Sequence, residues 1–277
     1  MWERQLPSVS WPSTSRGPVQ PLGERRTNMG HRGREVSPVE RAYSWIRWIS
    51  RTAQSRAANP GKVTYPAPPD FTGSAFVRNI IYELCGWEQF QDIEADYDTV
   101  KAAIEPALDY LRELNPYLWN QGTTFPDAST TVDSMFADGE LVMSISYAPY
   151  TVAIGIDQGT YAETTQTFVF DNGTIGNTNY MAIAFDSPNK AGAMVVIDAI
   201  LSAELQLSQY ATLRELPVVT SDKLSAEEQA AFDQVDMGQG VLTQEELLSH
   251  RLPEMPADLV PVIEEIWLNE VVGQYNG

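Results

Sequence analysis

The sequence predicts an α/β layered protein, and three observations carry that reading. Between residues 62 and 185, short β-prone runs alternate with amphipathic helical stretches. Beyond 185 the apolar spacing is helical to the end of the chain. Near residue 57 the composition changes abruptly, so the layered part starts at about 58.

The 277 residues suffice for one large domain or two medium ones. The net charge of −19 is unevenly spread. Residues 1–57 hold ten Arg, no Lys and four Glu, a net +6, whereas residues 58–277 carry −25. An acidic body of that size repels nucleic acid and anionic membranes. No apolar run approaches the ~20 residues of a membrane span. Residues 1–30 show no signal-peptide core, being punctuated throughout by Pro, Gly, Ser and Arg. The single Cys85 excludes an intrachain disulfide and lies on an apolar helical stretch, where an inert buried thiol is expected. His31 and His250 are too far apart in sequence to suggest a zinc site.

Residues 1–39 contain five prolines and no hydrophobic periodicity, so a disordered or non-native basic segment is expected over 1–57. A basic arm for nucleic acid or anionic lipid competes with that reading. So does a misplaced start, since Arg without Lys, with scattered Trp, Pro and Gly, is what a G+C-rich gene gives in the wrong frame. Residues 40–57 have the spacing of a short helix.

From 58 on, each element has a local cause. Lys62 to Tyr65 is β-prone, and Pro66, Pro68 and Pro69 end it. Phe71 opens a helix running to about Leu84, with Phe76, Ile80, Ile81 and Leu84 on one face and Gly86 as the stop. A second helix over 98–114 aligns Val100, Ile104, Leu108 and Leu111, with a kink expected at Pro106. Residues 115–121 form a loop bearing Tyr117 and Trp119. Ser129 to Asp138 reads as a helix, Glu140 to Tyr147 as a strand, and Pro149 onward as a helix to about Asp157. Thr165 to Phe170 is a strand, and the run Asn179 to Phe185 reads as another, buried one. One long helix is expected over 188–208, capped by Ser187, with further helices over 224–234, from Thr243, and over 258–272. No strand is expected after 185.

Catalytic signatures are absent: no GxSxG, HExxH, Walker or GxGxxG motif occurs, and Asp233 to Glu246 lacks the ligand spacing of an EF-hand. The many carboxylates single out no acid–base pair. The sequence is richer in binding features. The first helix starts after a Thr-Gly-Ser tip, where free N–H groups can hold an anion or a polar group, although a plain cap accounts for the same residues. Asp171 to Asn179 places amides and glycines before an apolar run.

Several stretches together resemble the periplasmic solute-binding proteins of ABC importers, closest to the YnjB-type subgroup. They are VTYPAPPDFTGSAFVRN (63–79), FPDASTTVDSMFADGELVMSISYAPYTV (125–152), GTIGNTNYMAIAFDSPNKAGAMVVIDAILSAELQL (173–207), and the closing helix with WLNEVV. The resemblance covers about 58–277 and implies a type II periplasmic-binding-protein-like α/β fold. It implies the second lobe over 58–175, then a hinge strand and the C-terminal helices of an incomplete first lobe over 176–277. The unmatched start suggests a truncated or mis-started form, whose helices at 188–208 and 224–272 would expose apolar faces. The implied function is capture of a small solute between two lobes and delivery to the permease subunits, without catalysis, cofactor, metal or nucleic acid. The implied location is periplasmic or extracytoplasmic, with membrane contact only through the permease. Candidate ligand contacts are Tyr147 and Trp119 as aromatics, Thr72, Ser74, Asn177 and Asn179 as hydrogen-bonding groups, and Asp70 for a cationic solute. The alternative is a non-binding lobe fragment or an interaction protein with a basic arm.

Overall fold

The computed structural model describes residues 60–170, 172–176 and 179–273, and the backbone of 8–12. The expected short helix over 40–57 lies outside the described residues, as does most of the basic segment. Inside that segment, Ser8–Pro12 forms strand β1, where the composition suggested no order. It lies between β2 (Ser144–Ser146) and β3 (Thr165–Phe168), antiparallel to both, with Val9 opposite Ile145 and Phe168.

The central packing unit is made by three helices and one extended segment. Helix α1 (Phe71–Cys85) starts at the Asp70 cap and ends at Gly86, whose φ of 78° only glycine adopts freely. Helix α2 (Tyr97–Leu114) buries Val100, Ile104, Leu108 and Leu111, as their spacing requires, and runs through Pro106 without a break. The extended segment, Lys62 to Ala67, buries Thr64 and Tyr65. It is not a ladder strand, because its backbone groups bond singly to separate loops. Lys62 O accepts from Val142 N, Val63 O accepts from Trp119 N, and Ala67 N donates to Pro126 O, each at 2.8 Å.

Helix α3 (Ser129–Ala137) turns Val132, Met135 and Phe136 onto Leu141, Trp119 and Tyr161. The strand expected over 140–147 is only three residues long, and α4 (Thr151–Asp157) follows it. Two-residue strands β4 (Thr174–Ile175) and β5 (Arg251–Leu252) pair in parallel, so one short strand does follow residue 185.

Three expectations fail in the C-terminal part. Asn179 to Phe185 is not a strand: among the described residues no partner lies beside it, and Tyr180 and Phe185 are 63% and 93% exposed. The long helix is two, α5 (Lys190–Leu201) and α6 (Ala203–Leu213), bent by 60° at Ser202. Ser202 begins α6 as a new cap, its Oγ accepting from Leu205 N, and α5 starts two residues later than Ser187–Pro188 suggested. No single described helix is long and apolar enough to cross a membrane. Apolar exposure in this part is greatest on α5 and the run before it, with Leu205 and Leu213 of the following helix, Leu248 and Leu268 also exposed. Helices α6, α7 (Ala226–Asp233) and α8 (Gln244–Ser249) gather Tyr210, Phe232 and Leu247 around Tyr150. Capping boxes form at Ser225–Glu228 and Thr243–Glu246.

Helix α9 (Leu259–Trp267), with a wider final turn over Leu268–Val272, packs in the core of α1 and α2. Its Trp267 Nε1 donates to Tyr65 Oη at 3.1 Å, and its ring meets Phe125 edge-on at 5.2 Å. Lys101 and Arg112 of α2 both bind the Glu270 carboxylate, at 2.5 and 3.1 Å. The Lys101 hydrogen bond is the main reason that carboxyl is held below its ordinary range.

Replacing Trp267 with Ala removes a fully enclosed indole and orphans the Tyr65 hydroxyl. The expected loss is about 3–5 kcal/mol, read from urea denaturation. Cys85 is partly rather than fully buried, and burial raises its thiol pKa from 9.0 to about 11. Below pH 9 the thiol is neutral in both folded and unfolded chains. From 9 to 11 the unfolded chain ionises first, so stability falls as pH rises through that window. Iodoacetamide at pH 9 is expected to label the unfolded chain much faster than the folded one; equal rates would show an exposed thiolate.

Candidate ligand-binding site

Helix α1 begins where the carboxyl end of β2 arrives, and this junction collects most of the polar groups that the sequence nominated. Gly73 makes the approach possible. A Cβ there would lie 2.0 Å from the Pro66 carbonyl oxygen, so any side chain would push α1 away from the extended segment. Asp70 secures the start of the helix. Its Oδ1 accepts from Thr72 N at 2.9 Å and Gly73 N at 3.0 Å, and its Oδ2 accepts from Ser129 N at 3.1 Å. The carboxylate therefore ties the starts of α1 and α3 together and complements the positive end of the α1 dipole.

One turn on, Ser74 is buried and its Oγ donates to Glu264 Oε1 of α9 at 2.6 Å. Arg78, a further turn along, is 3% exposed. Its Nε donates to Ser74 O at 3.2 Å, and its guanidinium is ion-paired with Glu254. A buried guanidinium is tolerated only when paired and hydrogen-bonded, and both conditions hold here. Thr72 is buried beside the cap.

Tyr147 follows β2 directly, and its ring lies 4.6 Å from that of Phe71, tilted by 34°. Phe71 is the first residue of α1 and is 55% exposed, so the pair forms an aromatic shelf open to solvent. The Tyr147 hydroxyl is buried beside Arg78 without well-formed hydrogen-bond geometry. Burial raises its pKa, and the Arg78 charge opposes that rise. The turn beneath is fixed by Ser146, whose Oγ accepts from Ala148 N at 3.0 Å and lies 2.7 Å from Thr151 Oγ1. Nearby, Ser144 Oγ donates to Asp133 at 2.5 Å; burial nonetheless pushes that carboxyl up.

The structure brings Asp70, Thr72, Ser74 and Tyr147 together and separates the other candidates. Trp119 packs on the α3 cluster, and its Nε1 donates to Glu140 Oε1 at 2.8 Å. Asn179 lines a different cavity, of about 200 Å³, with Tyr180, Met181, Gln209 and Leu216. That cavity shares no residue with the shelf. Asn177 lies outside the described residues. Phe71, Arg78, Glu254 and Glu264 were not foreseen. Arg78 had a usable signal, a cation standing four residues after Ser74 on the same side of the helix. Glu254 and Glu264 are 176 and 190 residues from their partners, a distance that no local pattern bridges. Among the described residues no cluster of side chains is arranged to hold a metal ion.

Comparison with known proteins agrees with this architecture. The sequence is 32% identical over 215 residues to Protein YnjB of Escherichia coli (strain K12), across 76% of this chain and 51% of that protein. The chain thus spans about half the length of that curated relative. An ABC transporter structure from Clostridium perfringens ATCC 13124 superposes with a TM-score of 0.55 at 19% identity, covering 97% of this chain and 66% of the other. The GacH receptor of Streptomyces glaucescens GLA.O, solved unliganded and with acarbose, gives 0.58 at 13% identity, covering 99% and 65%. At these identities the likeness establishes the fold, which is that of the periplasmic binding proteins. A family model described as bacterial extracellular solute-binding protein matches residues 51–233, about two thirds of the chain. The chain belongs to the bacterial extracellular solute-binding protein family.

Proposed function

We propose that this chain serves as the solute-binding component of an ABC importer, holding a small solute and presenting it to permease subunits outside the cytoplasm. The observation that carries the reading is the Phe71–Tyr147 shelf, an exposed aromatic face at the carboxyl edge of a strand and beside a helix start. Ligands of layered α/β proteins sit at such edges. The surrounding polar groups are already paired, so the shelf is held rigid before a ligand arrives, which lowers the ordering cost of binding. The reading assigns binding without chemistry: Asp70 is occupied by three N–H donors and Ser74 by Glu264, and both act by positioning the shelf. Thr72 belongs to the same support, while Trp119 stands outside it.

Titration calorimetry of the whole chain against saccharides, amino acids and organic amines tests this. Saturable heat with a raised melting temperature for one class is expected. Phe71→Ala and Tyr147→Ala are then each expected to weaken binding about tenfold, or ~1.4 kcal/mol, with Trp119→Phe unchanged. Flat heats across the panel, or full affinity in both shelf variants, would remove this site. Gly73→Ala is expected to lower the melting temperature and weaken binding together, because it displaces the start of α1 that carries Phe71.

A further inference from the structure

Arg78 is a buried cation beside the aromatic shelf. It stands on the same side of α1 as Phe71 and Ser74, at helical spacing, and is 3% exposed. A buried ion pair gains little net stability over an apolar pair of the same size, so its presence points to a task in fixing one arrangement. The surroundings of Arg78 show which arrangement that is.

Three neighbours meet the side chain. Its Nε donates to Ser74 O at 3.2 Å, one turn back on the same helix. Its guanidinium pairs with Glu254, whose Oε1 also accepts from Met255 N at 3.0 Å. Met255 belongs to the core shared by α1, α2 and α9, so the counterion is itself anchored. The third neighbour is the Tyr147 hydroxyl, enclosed and without a hydrogen bond of regular geometry. A guanidinium offers donors only, and a phenol oxygen can accept. The contact is therefore attractive, and the Arg78 charge opposes the burial that raises the phenol pKa. With its charge met by Glu254 and its side chain enclosed, Arg78 is not placed as a receptor for an anion.

Tyr147 is thus gripped at both ends. Its ring lies 4.6 Å from that of Phe71, and its hydroxyl lies against Arg78. Both partners belong to one helix, seven residues apart, so α1 alone sets the ring's tilt. The turn after β2 fixes only the backbone, through Ser146 Oγ and Ala148 N. Without Arg78 the enclosed hydroxyl would have no polar partner at all, and turning the ring out to water would relieve that cost.

We propose that Arg78 is a positioning residue for the shelf: anchored by Glu254 and Ser74, its guanidinium holds the Tyr147 hydroxyl and keeps that ring against Phe71 before a solute arrives. The consequence for binding rests on the solute-binding reading of the shelf, whereas the placement of the ring does not.

Nitration of the whole chain by tetranitromethane tests the placement, with modified tyrosines located by fragment mass spectrometry and N-acetyltyrosinamide as the unprotected standard. In the wild-type chain Tyr65 and Tyr147 are both expected to react at least about tenfold more slowly than the standard. Arg78→Met is expected to remove the protection of Tyr147 and to leave that of Tyr65, while Arg78→Lys keeps part of it. Because Arg78→Met alone leaves the Glu254 carboxylate uncompensated, the second variant combines it with Glu254→Gln, which removes both charges. The same selective exposure of Tyr147 is expected there. A Tyr147 that stays protected in the second variant, or that loses protection only together with Tyr65, overturns the proposal. So does a Tyr147 that is unprotected in the wild-type chain. Selective exposure alongside flat calorimetric heats would uphold the placement and remove the solute reading, so the two fail separately.

Discussion

Tyr65 sits at the centre of the structure, and its burial sets the terms for everything around it. A phenol with 1% exposure must find a partner for its hydroxyl, and the partner is the Trp267 indole, 202 residues away. The same ring stacks on Phe76 of α1 at 4.5 Å and meets Phe125 at 4.9 Å. One side chain therefore joins the extended segment, the first helix, the loop before α3 and the closing helix. Burial of these rings supplies the bulk of the attraction, and the hydrogen bond fixes which helix face is used. The Glu270 network and the bond from Asn115 Nδ2 to Val271 O, 3.1 Å, then hold the end of α9 on α2.

The aromatic shelf depends on that arrangement at one remove. With α9 in place, Glu264 and Glu254 stand over α1, where they engage Ser74 and Arg78. With Gly73 against Pro66, the first turn of α1 sits close enough to the end of β2 for Phe71 to reach Tyr147. The nominated polar residues Asp70 and Ser74 are thus hydrogen-bonded to the elements that carry the shelf. As a residue type before a helix, Asp70 fits either a ligand contact or a cap, and in the structure three backbone N–H groups donate to it, as to a cap.

The C-terminal part shows how pattern and burial diverge. Asn179 to Phe185 and α5 have the composition of interior elements, yet both lie open. Strand geometry needs a neighbour to take its backbone groups, and among the described residues no strand pairs with 179–185. The apolar α5 side follows for the same reason. By contrast, α6 to α8 find a core of their own around Tyr150 and Tyr210, whose rings lie 6.3 Å apart. The expectation of exposed faces on all the C-terminal helices was thus too broad.

The sequence alone determined the helices, because their causes are local. Val100, Ile104, Leu108 and Leu111 repeat at helical spacing, Gly86 and Gly139 stop their helices at positive φ, and Ser225–Glu228 and Thr243–Glu246 close their own first turns. It also carried the family, through the order of several moderately distinctive runs. The tertiary structure alone decided which helix shares which core, that residues 251–252 pair with 174–175, and that Trp119 serves the α3 cluster while Phe71 serves the shelf. It decided as well that one apolar run breaks at Ser202 into two helices. These outcomes rest on contacts between residues far apart in the chain. A local pattern states that a face is apolar or that a helix begins; it does not state what lies against that face.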